Sequence, residues 1–456
     1  MKVWIVNPFD NLPLEGNRPQ RYWLLARAFA RAGHDVTLWT SDFSHARKAK
    51  RVFCVESSML SVERFKEKGR YWRLKAMGYP PYGLSKINGP DSPDLISPQP
   101  AAAPLAPEPS TFNFQPSTFN LQLIPTPGYR RNIGLARIWS HRAFAKRWRA
   151  AAEQETPPDV LIASLPPLAL GGEALAFCRG RIKLVVDVQD AWPETFERVV
   201  PRWMLAPLRW TAKKIYCGAD AIAGVAERYV ALARSYGAHA PMKIFRLCID
   251  RSPMGTTSRN QPIEQVRQSD RSLHLVYAGN MGASYDLATV IEGVKRTEGV
   301  TLDLAGSGPD EAALRTLAGA CDRIRFHGYL GEVALRGLLS SSDVAVIPMF
   351  DAACVGVPGK LADYVTAGLP VLNTLHGETE GLLDQYGAGF TYSAGDVTAF
   401  VSVVEKCRAC RAGEGGEDLS WSRLQNGARM LSGEFDAGKI YGDYVAWVEN
   451  LPTKVD

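Results

Sequence analysis

No run of 18 apolar residues occurs in this chain, so the sequence offers no segment able to cross a bilayer as a helix. Histidine is scarce, with seven in 456 residues, and none sits with a Ser or Cys and an acid in a nucleophile arrangement. Cysteine is sparse as well. Eight residues, widely spread, do not form a disulfide framework. Cys407 and Cys410 make a CxxC inside the helical pattern TAFVSVVEKCRACR, but no second CxxC or His pair accompanies them. Two helix cysteines one turn apart is a simpler reading than a metal or redox site. An excess of one charge is also missing: 53 Lys+Arg against 47 Asp+Glu leaves +6, too weak to argue for nucleic acid. The opening MKVWIVNPFD has one lysine and a short apolar run that reads as a buried strand, not a signal peptide. Reduced thiols in the cytoplasm are the expectation.

What is there is ordinary for a globular chain: 46% hydrophobic and 22% charged residues. The length suggests two to three domains. The first forty residues read strand (KVWIV), loop, helix (RYWLLARAFARAG, with Gly33 as its stop) and strand (DVTLWTS), a βαβ unit that implies a parallel sheet. The beat recurs through DVLIAS, KLVVDVQD, ADAIAGVA and KIFRLC. It stops over residues 251–271, which are polar and turn-rich and read as a linker. It restarts at LHLVYAG and continues through VTLDLAG, RIRFHGYL, DVAVIPM and LPVLNT. Two doubly wound α/β arrays follow, with the main site expected in the cleft between them, at the carboxyl ends of the strands. The terminal GKIYGDYVAWVENL is an amphipathic helix that needs a partner surface and is expected to cross back to the first domain. Twelve of the 30 prolines fall between Pro80 and Pro127. That window also holds a tandem repeat, PSTFNFQ then PSTFNLQ, and residues 87–122 read as a disordered insertion in a surface loop.

The most informative segment is VGVPGKLADYVTAGLPVL. It places Lys360 at a helix start, where unpaired N–H groups and a full positive charge suit phosphate oxygens, and Asp363 one turn later, where a carboxylate could hold a vicinal diol. An ordinary capped helix with a surface Lys–Asp pair fits the same residues. Two glycine loops follow strands, AGNMGASYD and AGSGPDE; neither is GxGxxG, and turns need glycine anyway. In the first array VVDVQDAWPE puts Asp187 and Asp190 at a strand's carboxyl end, GNRPQR puts Gly16 and Arg18 in the first βα loop, and PGYRRN adds Arg130 and Arg131. Polar residues there could hold the hydroxyls of a sugar, and for Asp187 a helix cap or loop ion pair remains open. His327 and His376 read as loop residues after strands of the second array.

At these residues the chain resembles a retaining family-4 glycosyltransferase of the GT-B fold, of the bacterial polysaccharide-biosynthesis type. The second half carries the likeness in YAGNMG, LAGSGP, HGYLG, SSSDVAVIPM and PGKLADYVTAGLPV. The first half carries it in NPFDNLPLEGNRPQRYWLLARAFARAGHDVTLWTSDFSH, ASLPPL and DVQDAWPE. The resemblance implies an acceptor-binding Rossmann-like domain at 1–250, the linker, a nucleotide-sugar-binding domain at 272–430, and a crossover helix and tail at 431–456. It implies a UDP- or GDP-linked sugar as co-substrate, no cofactor and no essential metal. The implied catalytic residues are Lys360, Asp363 and Asp190. The implied donor contacts are Gly279, Asn280, Gly282, Gly306, Gly308, Tyr329, Pro358, Lys360 and Asp363, and the implied acceptor contacts are Gly16, Arg18, Arg130, Arg131 and Asp187. The sequence departs from the family where its paired-acid pattern would put a first acid, which is Val355 here, and the NMGASYD loop has no Arg or Lys.

From Tyr129 to Ala152 there are seven Lys/Arg and no acid, with Trp139, Phe144 and Trp148 interleaved; RWMLAPLRWTAKKIY is similar. Such helices can lie on anionic membrane, although a solvated face over buried aromatics fits equally. The resulting expectation is a cytoplasmic enzyme, peripheral at the inner face of the plasma membrane. It would pass a sugar from the nucleotide to a glycan or lipid-linked acceptor, without nucleic acid. A nucleotide-sugar epimerase of the same architecture and an inactive sugar-nucleotide-binding scaffold are the alternatives.

Overall fold

The computed structural model describes residues 1–13, 20–51, 60–61, 72–77, 118–131, 134–198, 200–248, 250, 272–414 and 420–452. These form two compact units, Met1–Pro158 and Asp159–Asp456. Gly16, Arg18 and the 251–271 linker lie outside the described residues.

The first unit opens with the expected βαβ. Strand β1 (Lys2–Val6) is buried after its first residue, as its apolar run requires. Helix α1 (Arg21–Arg31) buries Tyr22, Trp23, Leu25, Ala26 and Phe29, one face at helical spacing. Its start is anchored by Asp10, whose carboxylate accepts from the N–H groups of Tyr22 and Trp23 at 3.0 Å each. Burial nonetheless raises the Asp10 carboxyl to about 7. Gly33, at φ +85°, lets the chain turn into β2 (Asp35–Ser41), which runs parallel to β1. The short strands β3 (Phe43–Ser44) and β4 (Ala49–Lys50) make an antiparallel pair. Strands β5 (Leu60–Ser61), β6 (Trp72–Met77) and β7 (Thr118–Ile124) extend the sheet in the order β1-β2-β7-β6-β5. The β2–β7 pair is parallel, but β6 and β5 are antiparallel additions that the βα beat does not announce. Helix α2 (Leu135–Ala152) closes the unit.

Strand β7 corrects the expected insertion. Residues 118–122, assigned above to a disordered stretch, begin a strand flanked by β2 and β6, and Phe119, Leu121 and Leu123 are core. The TFNLQLI alternation is the half-buried strand pattern, masked in the sequence by its near-copy in the preceding repeat. Residues 87–117 lie outside the described residues. In the β6–β7 register Met77 stands opposite Thr118, the geometry of a hairpin that a two-residue turn can close. Replacing 78–117 by Asn-Gly is therefore expected to preserve the circular dichroism spectrum and cooperative melting. A deletion that also takes 118–124 should abolish soluble expression, because it removes a central strand.

The second unit repeats the parallel pattern twice. Strands β8 (Val160–Leu165), β9 (Lys183–Val188), β10 (Ala221–Gly224) and β11 (Met242–Ile244) pair in sequence order, all parallel. Helices α3 (Leu168–Cys178), α4 (Ala206–Gly218) and α5 (Glu227–Ser235) connect them. Then come β12 (Leu273–Ala278), α6 (Leu287–Arg296), β13 (Val300–Ala305), α7 (Glu311–Ala318), β14 (Ile324–Gly328), α8 (Glu332–Ser340) and β15 (Val344–Ile347). They are followed by α9 (Gly359–Thr366), β16 (Val371–Asn373), α10 (Glu378–Tyr386), β17 (Gly389–Thr391), α11 (Val397–Ala412) and α12 (Trp421–Leu431). The six strands form a parallel sheet, β14-β13-β12-β15-β16-β17, whose order reverses beside β12. Both halves of the chain are thus Rossmann-like.

The last helix, α13 (Ala437–Glu449), crosses back to the β8–β11 strands as expected. Its Tyr444 ring lies 4.4 Å from Phe245, the Tyr444 hydroxyl reaches Asp187 of β9 at 3.4 Å, and Lys183 donates to the Leu451 carbonyl at 2.9 Å. Cys407 and Cys410 are buried on α11, and burial pushes both thiols up. No helix of the described residues is long and apolar enough to cross a membrane.

Candidate functional site

The carboxyl ends of β12, β13 and β15 converge beside the reversal in strand order, where an open parallel sheet offers a crevice. Two glycine loops line it, and they are stitched to each other. The N–H of Gly279 donates to Ala305 O at 2.9 Å, that of Met281 to Ser307 O at 3.0 Å, and that of Asp310 to Met281 O at 3.0 Å. The fit leaves no room for side chains. A Cβ on Gly306 would stand 1.9 Å from Gly279 O, and one on Gly308 2.1 Å from Met281 O. These glycines are therefore required by loop-on-loop packing before any ligand is considered. The N–H groups of Gly279 and Met281 are spent on the neighbouring loop, which narrows the backbone donors the NMGASYD loop can offer. Gly308→Ala is expected to lower Tm by several degrees and to weaken nucleotide binding together with it, measured by a melt with and without nucleotide.

Helix α9 enters the crevice. Pro358 occupies its N-cap position, and Lys360 and Asp363 lie one turn apart on it, as the sequence predicts. The helix is pinned to β12 by Tyr364, whose hydroxyl accepts from Ala278 N at 2.8 Å and donates to Ala278 O at 3.3 Å. Lys360 Nζ reaches back over Gly279, where an added Cβ would be 2.5 Å away. It donates to Tyr277 Oη at 2.8 Å and lies 4.0 Å from the Tyr277 ring centre and 3.9 Å from that of Tyr285. The two rings meet edge to face at 5.8 Å and make a box around the amine. Burial lowers the Lys360 pKa to about 7, and the Asp363 charge only partly opposes this. The arrangement can offer a proton-carrying cation, and the N-terminal end of a helix, to an anion arriving at the Gly279 loop.

The box is what the sequence reading missed. Tyr277 and Tyr285 sit inside the quoted motifs YAGNMG and NMGASYD, but an aromatic at a strand end reads as core, and only the fold shows a lysine between two of them. Among the other implied donor contacts, Asn280 and Tyr329 are exposed, Tyr329 at 83%, on the loops after β12 and β14. Gly282 is buried, and its carbonyl accepts from Tyr285 N at 2.9 Å.

Glu378, also missed, opens α10. Its carboxylate accepts from Glu227 N at 2.7 Å and from Arg246 at 2.9 Å, and stands beside Gly356, next to Val355. Burial raises its pKa. It ties α5 and the segment after β11 to the second sheet's loops, a contact between segments more than 100 residues apart that no local pattern announces.

The first-array acids have structural partners. Asp190 accepts from Ala191 N at 2.8 Å, Trp192 Nε1 at 3.1 Å and Thr195 Oγ1 at 3.1 Å, which orders the AWPET turn. Asp187 is fully buried beneath Tyr444 and presents no surface to an acceptor in this structure. Arg130 and Arg131 are exposed. His327 is not a loop residue: it lies within β14 and bonds Asp303 of β13 at 2.7 Å. His376 pairs with Glu380 at 3.2 Å on the surface.

Comparison with known proteins agrees with this architecture. Residues 272–409 match the family described as "Glycosyl transferases group 1", and residues 20–246 match a "Glycosyl transferase 4-like domain". A search of curated proteins finds no match. Among solved structures the chain is similar to sucrose-phosphate synthase (tll1590) from Thermosynechococcus elongatus, at TM-score 0.63 and 12% identity over 99% of this chain and 98% of that one. It is similar to Anabaena Alr3699/HepE in complex with UDP-glucose, at TM-score 0.57 and 12% identity over 98% and 99%. It is also similar to WaaG, a glycosyltransferase involved in lipopolysaccharide biosynthesis, at TM-score 0.58 and 12% identity over 98% and 100%. At such identity the structures establish the fold, while the two family models together span most of the sequence: the chain belongs to the family-4-type glycosyltransferases of the GT-B fold.

Proposed function

We propose that this glycosyltransferase moves a hexosyl unit, with retention at the anomeric carbon and without an essential metal, from a nucleotide sugar to a glycan or lipid-linked acceptor in cell-surface glycan synthesis. The observation that carries the reading is the Lys360 amine, placed at the first turn of α9 directly over the Gly279 loop. As the bond from the anomeric carbon to the diphosphate oxygen breaks, negative charge gathers on the leaving diphosphate, and a cation at that point stabilises it. Asp363 would hold the ribose, and Asn280, Gly282, Gly306, Gly308, Tyr329 and Pro358 would shape the donor pocket. Asp190 is proposed as a catalytic residue, and Arg130 and Arg131, with Gly16 and Arg18, as acceptor contacts.

Exposed aromatics on basic helices support peripheral membrane association at a cytoplasmic face. On α2, Leu135 and Trp139 are 83% and 60% exposed, while Phe144 and Trp148 belong to the core. Trp203 and Trp210, just before and within α4, are 76% and 61% exposed, and Lys214 stacks on Trp210 at 3.4 Å. UDP-glucose, bound in the Anabaena neighbour, is the first donor to test. A thermal-shift panel of uridine, guanosine and adenosine diphosphates and their sugar conjugates should give a rise in Tm with at least one of them, and turnover should persist in chelator. A panel with no shift rejects the donor site, and turnover abolished by chelator rejects metal independence.

A further inference from the structure

The first unit holds a second cluster of basic and aromatic side chains that the donor chemistry does not use. It stands just beyond the carboxyl ends of β1, β2 and β7, three neighbouring parallel strands, which is where such sheets place ligands. His45 and Lys48 come from the turn between β3 and β4, Tyr129 from the segment after β7, Arg137 and His141 from α2, and Phe9 from the segment after β1. A small pocket opens among Phe9, Phe43, His45, Tyr129, His141 and Phe144.

The polar groups are chained together. Lys48 Nζ lies 3.2 Å from His45 Nδ1, the same nitrogen meets Tyr129 Oη at 2.5 Å, and Arg137 Nε donates to His141 Nε2 at 3.3 Å. His141 is only 5% exposed. Lys48 adopts φ +54°, a left-handed backbone that non-glycine residues rarely hold. Its amine faces His45.

Among the described residues, the charges that shift these groups share one sign. Burial, Lys48 and Arg137 push His45 down to about 4. Burial, Arg137 and His45 push His141 down to about 3. Burial and Arg137 push Lys48 down to about 8. Asp42, the nearby acid, is bonded to Lys50 at 2.7 Å and to Thr126 N. A group of basic side chains that depress one another, walled by aromatic rings, is complementary to a compact oxyanion attached to an apolar or sugar body.

We propose that His45, Lys48, Tyr129, Arg137 and His141 form a binding site for a phosphate or diphosphate group carried by the acceptor. This rests on the reading that the first half of the chain receives the acceptor. The oxyanion would accept hydrogen bonds from Lys48, Arg137 and the Tyr129 hydroxyl. Its charge would let His45 and His141 take up protons and become donors in turn.

The test follows the histidine ring signals by NMR near pH 7, assigned with His45→Gln and His141→Gln, while inorganic pyrophosphate is titrated in. The expected result is a saturable shift of both signals, with the affinity reduced about tenfold or more in Lys48→Gln and in Arg137→Gln. Native-like melting of each variant is checked first, and Lys48→Asn, which removes the charge and tolerates the left-handed backbone, is the fallback if Lys48→Gln does not fold. Silent histidines, or shifts indifferent to both substitutions, overturn the site.

Vesicles carrying a polyprenyl diphosphate, compared with vesicles lacking it plus free pyrophosphate, separate a lipid-linked anion from a soluble one. Either source moving the two signals supports the site. UDP and GDP titrated into the same wild-type protein probe the transferase reading separately. Nucleotide binding with silent histidines sinks this site and leaves that reading standing. Histidine shifts with no nucleotide binding do the reverse.

Discussion

Lys360→Met should weaken nucleotide-sugar binding by about 10- to 100-fold, the range for losing a hydrogen bond to a charged group, and at the same time raise the Tm of the ligand-free protein. The two effects share one cause. The Tyr277–Tyr285 box and the loop around it make the ammonium costly enough to bring its pKa to about 7, so a neutral side chain of similar length suits the empty site better. The diphosphate reverses the preference by supplying the missing negative charge.

The pH dependence separates the two contributions. Between about 7 and the unfolded value of 10.5 the unfolded chain binds a proton that the folded one does not. Stability from this group therefore rises with pH across that window. Donor affinity runs the opposite way: it is flat below about pH 7 and falls by up to tenfold per pH unit above, because the anion needs the protonated amine. Melting curves and nucleotide titrations at pH 6, 7, 8 and 9 check both slopes, and Lys360→Met should flatten both. Wild-type affinity in that variant would refute the phosphate role.

How far the sequence reaches is visible at this same site. Lys360, Asp363 and the helix beneath them were legible because a helix start, its proline and the following Ala-Gly-Leu-Pro stop are local patterns. The glycines of AGNMG and AGSGP were legible as glycines, but not for the reason they are needed. A 1.9 Å approach of one loop to another is a tertiary fact, and phosphate binding and backbone crowding ask for the same residue. Tyr277 was hidden because burial and function draw on the same aromatic. Strand β7 was misread because a repeat suggested low complexity, while its partners β2 and β6 lie far from it along the chain. Asp187 shows the converse. An acid at a strand's carboxyl end looked like a ligand residue until α13, some 250 residues later, covered it.

That covering helix supports the largest expected effect on stability. Ending the chain before Ala437 should leave no cooperatively folded protein. Helix α13 buries Ile440, Tyr441, Tyr444, Val445 and Val448, and without it that surface and the β9–β11 region beneath would face water together. Tyr444→Ala isolates the packing contribution. A fully buried ring lost against Phe245 and Trp447 should cost about 3–5 kcal/mol in urea unfolding. Tyr444→Phe keeps the ring and removes only a 3.4 Å hydroxyl contact to Asp187, so its cost should stay near 1 kcal/mol. If the two substitutions cost the same, the helix is held by the polar contact and not by its apolar face. If the truncated chain still unfolds cooperatively at wild-type urea concentration, the crossover is an ornament on a complete domain. The burial of five apolar positions on one helix, with Tyr444 seated on Phe245 and on Asp187 of β9, argues that neither outcome will be seen and that α13 completes the core around those strands.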